Sequence, residues 1–84
     1  MAVTVERTPN PAAAKFIVGV PVGGPSTYRD PEDADAFVAE ILAIEGVRSV
    51  FLTADFVTVT ADPAFDWDVG APEIAQILES AFAA

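Results

Sequence analysis

The chain has 84 residues, with 13 Asp and Glu against 4 Lys and Arg, a formal net charge of −9, and neither Cys nor His. One domain is what this length supports, since folding at this size buries about 60% of the unfolded surface or a little more, and a 52% apolar content supplies a core without staples. The composition excludes disulfides, thiolate zinc sites and Ser/His or Cys/His nucleophiles, and the negative charge disfavours nucleic acid and anionic membranes as partners.

Ala2 to Arg7 alternates, with Val3 and Val5 to one side and Thr4 and Glu6 to the other, and predicts a half-buried strand. Thr8-Pro9-Asn10-Pro11 ends it. Pro9 and Pro11 have no backbone donor and push Thr8 and Asn10 toward extended geometry, so neither a helix nor a central strand passes through. Lys15 to Val20 resumes the alternation, Phe16, Val18 and Val20 opposing Lys15, Ile17 and Gly19, and pairs antiparallel with the first run in the expected fold. Pro21 to Tyr28, centred on Gly23-Gly24-Pro25-Ser26, reads as a surface loop.

Asp30 as N-cap, Pro31 at the first helical position, and Glu32 and Asp33 in the first turn predict a helix start. Ala34, Phe37, Val38, Ile41 and Leu42 then form one apolar stripe, and Gly46 suits the left-handed position past its end. Val47 to Thr53 and Phe56 to Thr60 are rich in Val, Phe and Thr and are separated by Ala54-Asp55, which predicts a hairpin closed by Pro63. Phe51 and Phe56 are assigned to the core. Beyond it, Asp66 or Asp68 caps a second helix with a buried stripe of Ile74, Ile77, Leu78 and Phe82 or Ala81. Pro72 leaves two starts open: near itself, or earlier with a distorted first turn.

The expected fold is α+β and two-layered: a four-stranded, largely antiparallel sheet with two helices on one face, in the order β-β-α-β-β-α, forming a single domain over residues 1–84. Each amphipathic helix needs an apolar surface to cover, which the sheet offers.

Two acidic clusters stand out, Asp30, Glu32, Asp33 and Asp35 at one helix start and Asp62, Asp66 and Asp68 at the other. Neither has the calcium-loop pattern of alternating Asp with a distant Glu, and local helix-start electrostatics accounts for both. Gly23-Gly24 lacks the following Gly-Lys-Ser/Thr of a phosphate loop. The Thr8 to Pro11 segment has two readings: a stiff strand exit in which Asn10 makes a local turn, or a loop pre-organised for a partner at low entropic cost. Trp67 reads as a lid on the core at the helix start.

Four groups of residues, in order along the chain, carry a family resemblance: Thr8-Pro9-Asn10-Pro11 with Lys15-Phe16; Ile44-Glu45-Gly46-Val47 with Val50-Phe51; Asp55-Phe56 with Thr58-Val59-Thr60; and Asp66-Trp67 with Pro72 and Ile74. Together they resemble the N-terminal domain of the NifU-like (Nfu) iron-sulfur cluster scaffold proteins. The resemblance implies a place in iron-sulfur cluster biogenesis. It also implies that the cluster is held by a Cys-x-x-Cys motif in a separate C-terminal domain; these 84 residues contain no Cys, so no cluster-binding, metal or catalytic residue carries over and no cofactor is expected.

The expected role is therefore a non-catalytic accessory or interaction module that docks on a scaffold, carrier or client protein. Thr8, Pro9, Asn10, Pro11, Lys15, Asp55, Asp66 and Trp67 are its candidate contact residues. The alternative is direct weak iron binding by clustered carboxylates. A monomer is expected, and a cytoplasmic location, because no basic segment followed by an apolar run opens the chain.

Overall fold

Strands rich in Val, Thr and Phe, each alternating between two faces, assemble here into a five-stranded antiparallel sheet. The computed structural model describes residues 3–82. Its strands are β1 (Thr4–Arg7), β2 (Ala13–Ile17), β3 (Ser26–Tyr28), β4 (Val47–Thr53) and β5 (Phe56–Ala61), in the spatial order β1-β2-β5-β4-β3. A 3-10 turn (Pro31–Asp33) and a short helix α1 (Ala36–Leu42) separate β3 from β4, and a 16-residue helix α2 (Trp67–Phe82) follows β5. Among the described residues no helix is long and apolar enough to cross a membrane.

The central register places Phe16 opposite Val57 and Ala14 opposite Val59, and Val50 and Leu52 of β4 opposite Val59 and Val57. These side chains share one face and are all buried. Val38, Ile41 and Leu42 of α1 and Ile74 and Leu78 of α2 join the same cluster. Removing such apolar area from water is the main stabilising term, roughly 25 cal/mol per Å². The Val3 N–H donates to Glu79 Oε2 at 3.2 Å, tying the chain before β1 to α2.

Several expectations need correction. The sheet has five strands, not four, because Ser26–Tyr28 leaves the predicted Pro21 to Tyr28 loop and pairs with β4, Ser26 facing Leu52 and Tyr28 facing Val50. A three-residue strand is too short to show a period of two, and its partner decides it. Gly24 permits the approach: its φ is +85°, and a Cβ there would strike the Leu52 carbonyl.

The first helix is also shorter than its stripe suggests. Asp30 does cap, its Oδ1 accepting the Glu32 N–H at 3.0 Å, but what it caps is the 3-10 turn. Ala34 and Asp35 are extended, and α1 begins only at Ala36. Gly46 takes a positive φ of +96°, three residues beyond the Ala43 C-cap rather than just past the helix end.

Phe51 and Phe56 are not core residues. The register turns both to the other face, with Ile17 and Thr58, where they are half-buried. Strand β1 starts at Thr4; Ala2, included in the predicted strand, lies outside the described residues. Helix α2 begins at Trp67 and runs through Pro72, which selects the earlier of its two possible starts.

Candidate interaction site

The Thr8 to Pro11 segment is held by its own polar atoms. The Thr8 hydroxyl lies 2.8 Å from the Asn10 carbonyl and 3.2 Å from the Ala13 carbonyl, as donor to either, and accepts the Asn10 N–H at 3.2 Å. Asn10 Oδ1 accepts the Ala12 N–H at 2.9 Å, an Asx turn, and the Ala13 N–H donates to the Asn10 carbonyl at 3.1 Å. Pro9, Asn10 and Pro11 stay exposed on this scaffold.

Trp67 anchors the loop from behind. It is 8% exposed, and its Nε1–H donates to the Pro11 carbonyl at 3.2 Å across 56 residues of sequence. The Arg7 guanidinium lies 5.6 Å from the Trp67 ring centroid and 3.5 Å from the same carbonyl, within range of a cation–π contact. Asp66 positions the indole: its Oδ1 accepts the Asp68 N–H at 3.0 Å and its carbonyl the Gly70 N–H at 2.8 Å, so it caps α2. Phe65 meets Trp67 edge to face, centroids 4.8 Å apart.

The structure thus brings Thr8, Pro9, Asn10, Pro11, Asp66 and Trp67 together at the junction of the β1–β2 loop and the start of α2. Lys15 and Asp55 are not part of it. Lys15 sits on the open face of the sheet with its ammonium 4.2 Å from the Phe56 ring centroid, and Asp55 occupies the β4–β5 turn, its carbonyl accepting the Val18 and Gly19 N–H groups at 2.8 and 3.2 Å. Arg7, Phe65 and Gly70 complete the junction and were missed. An aromatic pair flanking the Asp66 cap, Phe65 and Trp67, is the signal that could have found Phe65, but pairing of Arg7 with Trp67 depends on tertiary packing.

Asp62 organises the connection from β5 to α2. Its Oδ1 accepts the Ala64 N–H at 3.0 Å and its Oδ2 the Arg48 Nη2 at 2.8 Å, with the Asp62 side chain 43% exposed. The Ala64 hydrogen bond first, and Arg48 second, hold its carboxyl below the usual aspartate range. A carboxylate depressed on folding stabilises above its unfolded pKa and loses that contribution as pH falls through the folded value. Asp62→Asn should therefore lower the urea midpoint slightly at pH 7 and by less at pH 2, an exposed pair being a small effect. Equal differences at both pH values would show that the carboxylate charge is not involved. Among the described residues, no three carboxylates converge as a metal-binding group.

The family model for the scaffold protein Nfu/NifU N terminal matches residues 3–84. The chain is 39% identical over 88 residues to the mitochondrial NFU1 iron-sulfur cluster scaffold homologs of Drosophila willistoni and of Homo sapiens, in each case over 99% of this chain but only 30% and 35% of the relative. It spans about a third of the length of these curated relatives. The crystal structure of protein SAV1430 from Staphylococcus aureus superposes with a TM-score of 0.77 at 25% identity, covering 94% of this chain and 100% of that one. A NifU-like protein from Saccharomyces cerevisiae gives 0.75 at 22% identity over 93% and 75% of the two chains, a likeness of fold. With a family match across nearly its whole length, this chain belongs to the Nfu/NifU N-terminal domain family.

Proposed function

We propose that this domain is a non-catalytic docking module of iron-sulfur cluster assembly, contacting a scaffold, carrier or client protein through the Thr8 to Pro11 loop. An iron-sulfur cluster requires ligands such as thiolates, and with neither Cys nor His in the chain the donor set does not fit one. The cluster is cargo that another protein or domain holds. The observation that carries the reading is the loop itself: three exposed residues on a hydrogen-bonded scaffold, pinned to α2 by Trp67. Such a surface loses little conformational freedom on binding.

Capture of a Cys-x-x-Cys scaffold protein by the immobilised domain tests this. Asn10→Ala removes the Asx turn and should weaken capture about fivefold, the equivalent of one hydrogen bond near 1 kcal/mol. Lys15→Glu, on the open sheet face, should leave capture unchanged. Unaltered binding by Asn10→Ala would remove the loop as the contact surface, and loss with Lys15→Glu alone would move it to the sheet.

A further inference from the structure

Beside the Thr8 to Pro11 loop, and sharing Phe65, Asp66 and Gly70 with its junction, lies a second surface. The Ile44–Gly46 turn, the Asp62–Asp66 connection and the first turns of α2 enclose an open groove of about 830 Å³. Its large apolar lining residues are Ile44, Phe65 and Val69. Val69 is 67% exposed, the most exposed large apolar side chain among the described residues. Two glycines leave room for the Phe65 ring: a Cβ at Gly46 would lie 2.8 Å from Phe65 Cδ1, and one at Gly70 would overlap Cζ and Cε2 of the same ring.

Glu45, Asp66 and Glu73 line it as well, with Asp62 already paired to Arg48. Asp66, Val69, Gly70 and Glu73 recur at helical spacing and so share one side of α2. No Lys or Arg lines the groove. Of the four cations in the chain, Arg7 lies over Trp67, Lys15 over Phe56 and Arg48 on Asp62, which leaves Arg29 ahead of the 3-10 turn.

We infer that this groove docks a cationic amphipathic segment of a partner protein, an apolar side chain entering over Val69 and Phe65 while flanking Lys or Arg residues meet Glu45, Asp66 and Glu73. Charge decides the occupant. A second copy of the chain would bring nine further net negative charges, whereas a basic segment is drawn in by the field and fixed in register by these carboxylates. The apolar anchor supplies affinity, as buried side chains at the centre of an interface usually do. The groove does not depend on the role of the Thr8 to Pro11 loop.

The probe is a fluorescein-labelled peptide of repeated Lys-Leu-Leu-Lys units, with a matched peptide in which Glu replaces every Lys, titrated against the 15N-labelled domain. The lysine peptide should bind saturably, shift amides of residues 44–46 and 64–73, and weaken as salt rises. The glutamate peptide should not bind. Val69→Ser, at an exposed position where far-UV circular dichroism should remain unchanged, should weaken binding about tenfold. The Glu45→Gln/Glu73→Gln pair should weaken it and flatten its salt dependence. Asp33→Asn, outside the groove, and Asn10→Ala, in the loop, should bind as the parent does, which separates failure here from failure of the loop reading. Shifts of equal size at residues 31–35, or binding indifferent to Val69→Ser, would reduce the contact to general charge attraction and overturn the inference. Concentration-dependent shifts at the groove without peptide would also overturn it, in favour of a second copy.

Discussion

Trp67→Ala is expected to lower stability by about 3–5 kcal/mol, the range for truncating a large buried aromatic. At about 4–8 °C per kcal/mol for a domain of this size, the melting midpoint should fall by well over ten degrees. Domains of this length have only about 4–13 kcal/mol in all, so the variant is expected to be partly unfolded at 37 °C. Three contacts disappear together: burial in the core cluster, the edge-to-face contact with Phe65, and the Nε1–H bond to the Pro11 carbonyl with Arg7 alongside. Trp67→Phe separates them. It keeps most of the burial and loses the hydrogen bond, so it should cost nearer 1 kcal/mol than 4, while amide exchange in residues 8–12 accelerates. If Trp67→Phe melted like the parent and exchange in the loop were unchanged, the tie between Trp67 and the loop would carry no weight.

Gly70→Ala sets two effects of opposite sign against each other. Alanine is better than glycine inside a helix by about 1 kcal/mol, and on an open helix face the substitution would stabilise. Here the new methyl overlaps the Phe65 ring at Cζ and Cε2, and the ring must move to admit it, which disturbs its edge-to-face contact with Trp67. Overpacking of this kind costs about 1–3 kcal/mol. The steric effect wins, and the net expectation is a loss of up to about 2 kcal/mol in urea denaturation. The sign should reverse in a Phe65→Ala background, where the methyl has space and the helical preference of up to about 1 kcal/mol emerges. A double-mutant cycle reads the coupling directly. Stabilisation by Gly70→Ala alone would show that Phe65 moves aside freely and that the groove lining is softer than its geometry implies.

The loop and the groove differ in how much of them could be read from the chain. Thr8-Pro9-Asn10-Pro11 was visible because proline and asparagine act within a few residues of themselves, and the hydrogen bonds that hold the loop span five residues or fewer. The anchor was half visible: Trp67 stood out as a buried lid, but its acceptor is 56 residues away. Lys15 and Asp55 looked equivalent to the loop residues, yet the strand register sends Lys15 to the open face and the hairpin places Asp55 at its tip. The groove was not legible at all. Val69 lies off the Ile74 and Leu78 stripe, and its neighbours Ile44 and Glu45 belong to a turn far earlier in the chain.

The same division runs through the fold. By itself the chain determined its α+β class, the antiparallel pairing of its first two runs, the β4–β5 hairpin and the buried stripe of α2. Each rests on local periodicity, on a turn residue or on a cap, and such signals act over a few residues. Tertiary structure alone decided the fifth strand, the break of the first predicted helix into a 3-10 turn and a short α1, and the exclusion of Phe51 and Phe56 from the core. These outcomes turn on which face a register presents and which edge a short segment meets. A one-residue shift in pairing exchanges the two faces of a strand, and only the packed sheet selects between them.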